Sequence, residues 1–350
     1  MVWSVLQDIL SGATGKFRPS KQKQARIYRG SMDCSVVVCT RNRASQLVEA
    51  LTSFTELNIP AGTAWEVVVV DNGSTDSTAE VVRSFEERLP IRRVFEPKAG
   101  ISNARNAATA AAQGKYIVWT DDDVHVDPNW LAAFLEAFKR WPEAAVFGGR
   151  IILNLVPPTP DWFRDDYEHL KKRLAARDFG PDPLPLSIEK DHIPYGACYA
   201  VRADVHKQYR YDPEMGRSPG RNLAGEETGV IEAILKDNHP GWYVPQAEVK
   251  HIIQPYRQRL DHIIQLYEET GENWAHLERE DRSLRLWGIP LSVWLKFPIS
   301  YLRFRLAYAL GSKSWPHYLG RLAWYRGVFR YCLREQPIEK WADCNLKKYD

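Results

Sequence analysis

The stretch Tyr116-Ile117-Val118-Trp119-Thr120-Asp121-Asp122-Asp123 decides how the rest of the chain is read. Its apolar run has the length and composition of a buried strand, and open α/β sheets bind ligands beyond the carboxyl ends of their strands. Side chains alternate along an extended chain, so Asp121 and Asp123 point one way and Asp122 the other. Two carboxylates converging on one point repel unless a cation lies between them. Hard oxygen ligands suit Mg²⁺ or Mn²⁺, which take one or two protein carboxylates and complete their shell from water and phosphate. A solvated acidic turn is the alternative for a triplet standing alone, so its neighbours matter.

Upstream, strands are expected at Ser35–Cys39, Glu66–Val70 and Arg92–Phe95, with helices at Ala44–Leu57, Thr78–Leu89 and Ser102–Gln113. Asp71-Asn72-Gly73-Ser74 closes the second strand as a turn that can cap the next helix. This alternation predicts a doubly wound parallel sheet. Downstream the order is mixed: a helix over Trp130–Trp141, a strand pair within Ala145–Leu155, a strand over Ala197–Arg202 and a helix over Glu226–Leu235. Between them runs a long irregular excursion, Pro157 to Pro185, of the kind that forms lids or binding loops.

A length of 350 residues with 44% apolar composition suffices for a sizeable core. The formal net charge of +3 lacks the basic excess of a dedicated nucleic-acid binder. Five scattered cysteines, Cys34, Cys39, Cys198, Cys332 and Cys344, show no C-x-x-C spacing. They read as reduced thiols of a cytoplasmic protein. No secretory signal is evident, and no apolar run reaches the roughly 18–20 residues that span a bilayer.

The two ends differ from the middle. Residues 1–31 read as an amphipathic and basic arm, 32–255 as the α/β body, and 256–350 as a C-terminal helical region. From Arg282 to Arg334 there is no Asp or Glu, but many basic and aromatic residues. Pro290, Pro298 and Pro316 are expected to divide this stretch into short helices. Such a composition suits peripheral contact with an anionic membrane surface, or equally a helical subdomain packed on the body.

Four segments now occur in one order: Val36-Val37-Val38-Cys39-Thr40-Arg41-Asn42-Arg43, Val67-Val68-Val69-Val70-Asp71-Asn72-Gly73-Ser74-Thr75-Asp76, Gly100-Ile101-Ser102-Asn103-Ala104-Arg105-Asn106 and Asp121-Asp122-Asp123. Together they resemble the family-2 glycosyltransferases of GT-A fold, over roughly residues 33–255. The resemblance implies a GT-A type mixed sheet of Rossmann-like layout and the family's D-x-D motif. It also implies a nucleotide-sugar donor held by Thr40, Arg41, Asn42, Asp71, Lys98, Arg105, Asp121 and Asp122, with Asp71 accepting from the nucleobase ring N–H. Asp121, Asp123 and His251 are the implied ligands of Mn²⁺ or Mg²⁺, with Arg257 near the diphosphate. His125 either lines the site or packs a loop.

Gly225-Glu226-Glu227 opens a helix where family members usually carry Glu-Asp, the second carboxylate being the general base. Glu227 stands in that place, one methylene longer, with Glu226 beside it, and a helix N-terminus favours the charged form. Tyr195-Gly196-Ala197-Cys198 is expected to line the sugar or acceptor side. The implied activity is inverting transfer from a nucleotide-sugar, UDP-linked by expectation with GDP and dTDP open, to a hydroxyl of a glycan or lipid-linked sugar at the inner face of the membrane. Two other readings stand beside it: a catalytically silent glycan- or membrane-binding relative, and a sugar nucleotidyltransferase. The second normally needs a Gly-rich loop after the first strand, and Cys39-Thr40-Arg41-Asn42-Arg43 has no glycine.

Overall fold

The computed structural model describes residues 32–219, 221–280 and 284–334. The N-terminal arm expected over 1–31 and Cys344 lie outside the described residues. Four strands form a parallel half-sheet: β1 (Cys34–Thr40), β2 (Trp65–Asp71), β3 (Ile91–Phe95) and β4 (Tyr116–Asp121). The remainder is mixed: β5 (Val124–Val126), β6 (Val146–Leu155), β7 (Leu184–Pro185), β8 (Tyr199–Arg202) and β9 (Gly241–Ile253). The order is β3-β2-β1-β4-β8-β6-β9-β5, with β7 pairing on β9. β8 runs antiparallel to both β4 and β6, and β5 antiparallel to β9.

Alternation along the strands builds two cores. Val36, Val38, Val67, Val69 and Val118 pack on one face against helices α1 (Ala44–Phe54) and α4 (Trp130–Arg140), with Val82 of α2 (Thr78–Ser84). Val37, Val68, Val70, Ile117 and Trp119 pack on the other against α3 (Ile101–Ala111) and α5 (Glu226–Lys236). A strand whose every residue is buried needs helices on both faces, so near-continuous Val runs force the doubly wound form. The expected α/β fold is therefore present, with a mostly parallel sheet.

Two sequence expectations are corrected. Ala145–Leu155 is not a strand pair: Val146–Leu155 is one strand, paired in parallel with β9. β9 itself carries an irregularity between Val244 and Glu248, where Pro245 cannot donate to the ladder. The prolines also do not cut the C-terminal stretch into short helices. α7 (Leu291–Ala309) continues through Pro298, and Pro316 sits in the first turn of α8 (Trp315–Arg334), where a missing N–H costs little.

Beyond β9, α6 (Leu260–Leu277) packs on α8 at backbone distance. A Cβ added at Gly327 would stand 2.0 Å from the Glu268 carbonyl oxygen, and one at Gly271 2.1 Å from that of Trp324. Only glycine admits this approach. The excursion after β6 belongs to the same cluster: Phe163, Leu170 and Leu174 are buried against Ile253, Ile263, Tyr267 and Ala323.

Candidate active site

Strand register brings the site together. Thr40 pairs beside Asp71, and Cys39 beside Asp121, so the ends of β1, β2 and β4 open on one edge. On the far side, His251 of β9 pairs with Val124, and the Ile252 amide donates to the Asp123 carbonyl at 2.9 Å. The aspartate turn and the histidine are thereby adjacent although far apart in sequence.

The three aspartates have three environments. Asp122 is turned inward and is 3% exposed; Thr40 Oγ1 donates to it at 2.7 Å and Arg43 Nη1 at 2.5 Å. Burial pushes its carboxyl up to about 6, with Arg43 opposing and Asp123 adding to the rise. Both oxygens are engaged, so Asp122, expected among the nucleotide contacts, instead anchors the turn to the β1 end. Asp123 accepts from Arg43 Nη2 at 3.3 Å and from Arg257 Nη1 at 3.0 Å, and lies 3.6 Å from His251 Nε2. Burial works against its charge, but His251, Arg43 and Arg257 outweigh it and hold the carboxyl well below the usual range. Asp121 is partly buried; burial and the charge of Asp123 raise its carboxyl, with Arg105 and His251 opposing.

His251 is oriented for ligation. Its Nδ1 donates to the Leu174 carbonyl at 2.8 Å, which leaves the lone pair on Nε2, where Arg257 Nη1 donates at 3.0 Å. Metal-binding histidines are commonly held this way by a carbonyl on the other ring nitrogen. The donor set of Asp123 and His251 fits a divalent cation whose remaining ligands come from diphosphate and water. Asp121 does not close a triad with them. Among the described residues, the one set of three carboxylate or imidazole ligand atoms mutually within 4.8 Å is Asp166, His169 and His317, elsewhere in the molecule. The Asp123 carboxylate is instead engaged by Arg43 and Arg257.

Loop-to-loop hydrogen bonds pre-shape the edge where a nucleotide was expected. Asn42, in the left-handed region at φ 52°, accepts from the Thr75 amide at 2.7 Å, and its own amide donates to Ser74 Oγ at 3.0 Å. Asp76 accepts from the Ala44 amide at 2.9 Å. Asn72 donates to the Lys98 carbonyl at 2.8 Å and accepts from the Gly100 amide at 2.8 Å. Asp71 is 1% exposed, paired with Arg93 and capped by the Ser74 amide. Arg41 and Lys98 are exposed on the same edge.

The second carboxylate pair divides in the same manner. Glu226 is 9% exposed and lies 3.5 Å from Arg105 Nε. Burial, then the neighbouring Glu227 charge, pushes it up to about 8 against the pull of Arg105. Arg105 is itself enclosed, donating to Tyr199 Oη at 2.9 Å among the rings of Trp119, Tyr199 and Tyr211. The guanidinium of Arg105, expected at a phosphate, faces Glu226 and the aromatic cluster. Glu227 is partly exposed and accepts from the Gly196 amide at 3.3 Å. A Cβ at Gly196 would stand 2.6 Å from Arg105 Nη2, so glycine lets that cation underlie the loop. His125 is partly exposed, 3.9 Å from Glu49, which lines the same cavity as Arg43, Asp123 and Arg257.

Arg43, Asn72, Asp76 and Arg93 had no assigned role in the sequence reading. Arg43 follows directly on Thr40-Arg41-Asn42, and that adjacency was the only signal available.

The family model described as "Glycosyl transferase family 2" matches residues 35–210. The chain belongs to glycosyl transferase family 2. A glucosyl-dolichyl phosphate glucuronosyltransferase of Haloferax volcanii is 25% identical over 67% of this chain and 73% of its own length. The succinoglycan biosynthesis protein ExoM of Rhizobium meliloti is 30% identical, over 40% of this chain and 45% of its own. Among solved structures, a mannosyltransferase from Pyrobaculum calidifontis with GDP-Man and Mn²⁺ aligns with TM-score 0.58 and 18% identity, covering 88% of this chain and 89% of that one. The TarS 1–349 fragment of S. aureus with UDP-GlcNAc aligns at TM-score 0.50 and 16% identity, over 71% and 72%. At these identities the solved structures establish the shared GT-A fold. As a family-2 member the protein is a glycosyltransferase.

Proposed function

We propose that this glycosyltransferase moves a sugar from a nucleotide-sugar, UDP-linked in our reading, to a hydroxyl of a glycan or lipid-linked acceptor, with inversion at the anomeric carbon. The observation that carries the reading is the division of labour among acids. Asp123 lies 3.6 Å from His251 Nε2, and we take these two as the ligand pair; Glu227 is partly exposed and accepts from the Gly196 amide, and we take it as the base. Mn²⁺ or Mg²⁺, when bound by Asp123 and His251 with Asp121 alongside, supplies neutralising charge at the diphosphate.

Glu227 takes the proton of the acceptor hydroxyl as that oxygen bonds to the anomeric carbon. The bond from that carbon to the diphosphate oxygen breaks in the same displacement, its electron pair leaving with the nucleoside diphosphate. Arg257 and Arg43 are placed to meet the leaving group once they exchange Asp123 for phosphate. Glu226 and Arg105 position Glu227 from beneath, and the cross-tied loops of Asn42, Asn72 and Asp76 form the nucleotide edge with Thr40, Arg41, Asp71 and Lys98.

The lipid-linked class of acceptor is supported by the Haloferax volcanii relative, a glucosyl-dolichyl phosphate glucuronosyltransferase. No helix among the described residues is long and apolar enough to cross a membrane. We place the enzyme peripherally at the cytoplasmic face, where such acceptors are reached from the side. The donor assignment is tested by calorimetric titration with UDP, GDP and dTDP in Mn²⁺: preferential UDP binding is expected, and preferential GDP or dTDP binding would replace that part of the reading.

A further inference from the structure

Helix α7 is apolar on two faces, and only one is covered. Val293, Ser300 and Ala307 are buried, and Phe297 packs against Tyr325 and Phe329 of α8. Leu291, Leu295, Ile299, Leu302 and Leu306 point away from that contact, with Leu295 and Leu302 69% and 68% exposed. At 3.6 residues per turn these five fall within an arc of about 80°, opposite the buried face. A helix that is hydrophobic all round is normally buried on all sides. An uncovered row of this length marks an interaction surface rather than ordinary surface.

The flanks say what covers it. Lys296 and Arg303 border the row on one side; Arg305, Tyr301 and Tyr308 border it on the other, and all five are exposed. Trp287 and Leu310 extend the apolar surface at the two ends, 60% and 73% exposed. No Asp or Glu occurs from Arg282 to Arg334. Two copies meeting through this face would oppose their own cations with no carboxylate from the same segment to neutralise them. An anionic lipid surface satisfies both features at once: leucines enter the acyl boundary while Lys and Arg stems reach back to headgroups.

We infer that the exposed face of α7 docks the enzyme flat on an anionic membrane, without crossing it. This deepens the proposed use of a lipid-linked acceptor and rests on that reading for its purpose, not for its physical basis. The α7–α8 pair also reaches the catalytic body, since Trp315 lies against Trp162 and Lys313 bonds Asp165 at 2.9 Å in the excursion whose Leu174 carbonyl holds His251.

The test is sedimentation of the full chain with vesicles of phosphatidylcholine alone or equimolar with phosphatidylglycerol. Wild type is expected to bind the anionic vesicles at least about tenfold more tightly than the neutral ones. A Leu295→Asp/Leu302→Asp variant and a Lys296→Glu/Arg303→Glu variant should each lose about tenfold or more of that binding, with unchanged circular dichroism and nucleotide binding. Because vesicle binding is read without turnover, a failed transferase assignment would leave this result untouched, and the reverse. Absence of vesicle binding, or equal binding by the first variant, would overturn the inference. So would a wild-type dimer in light scattering that the first variant converts to monomer without any vesicle binding, which would make the face a contact between copies.

Discussion

Arg257 donates to Asp123 Oδ2 at 3.0 Å from the same Nη1 that stands 3.0 Å from His251 Nε2. One guanidinium nitrogen thus bridges the two groups we assign to the divalent cation. Burial weakens the hold on that charge, against the attraction of Asp123, and Arg217 and Arg43 crowd it further. Cation and arginine therefore compete for Asp123, and a bound diphosphate resolves the competition by giving the arginine a new partner. Arg257→Ala should bind Mn²⁺ about tenfold more tightly without nucleotide, a difference of about 1.4 kcal/mol. It should bind nucleoside diphosphate more weakly. Calorimetry of each ligand alone checks both signs.

Glu227 and Glu226 are neighbours with opposite predicted roles. Glu227→Gln should lower kcat by about 10²–10⁴, the range removed with a general base, while nucleotide binding changes little. Glu227→Asp should keep part of the activity, since it shortens the reach but retains the proton acceptor. Steady-state kinetics with parallel nucleotide titrations distinguishes loss of chemistry from loss of binding.

Glu226 makes stability depend on pH. Its folded-state pKa, about 8, lies above the ordinary 4.5, so between these values the folded chain binds more protons than the unfolded one. By linkage, the Glu226 contribution to stability is full below pH 4.5 and is lost as pH rises toward 8. Glu226→Gln should remove this fall, giving a flatter Tm profile across that range than wild type in differential scanning calorimetry.

The α6–α8 contact depends on a missing side chain. Gly327→Ala places a methyl 2.0 Å from the Glu268 carbonyl oxygen, and two rigid helix backbones must separate. A loss of about 1–3 kcal/mol is expected from such overpacking, measured by urea denaturation.

Much of this was legible in the sequence for identifiable reasons. The Val runs of β1 and β2 signal strands buried on both faces, and the ordered motifs carried the family. The place of His251 after Glu227 in the family order pointed to the aspartates, and β9 sets it 3.6 Å from Asp123. What could not be read were relations set by tertiary neighbours. Nothing local tells that Arg43 will meet Asp122 and Asp123, or that Arg105 will be enclosed by Tyr199, Tyr211 and Glu226. The continuity of α7 through Pro298 was likewise hidden, because packing on α8 overrides the local cost of a proline.

The most direct measurement is release of nucleoside diphosphate from UDP-, GDP- and dTDP-sugars by wild type, Asp123→Ala and Glu227→Gln, with Mn²⁺, Mg²⁺ or EDTA. The account predicts turnover of one donor that EDTA abolishes and that both variants lose, with Glu227→Gln still binding the nucleotide. Turnover that survives EDTA, or that persists in Asp123→Ala, would contradict it.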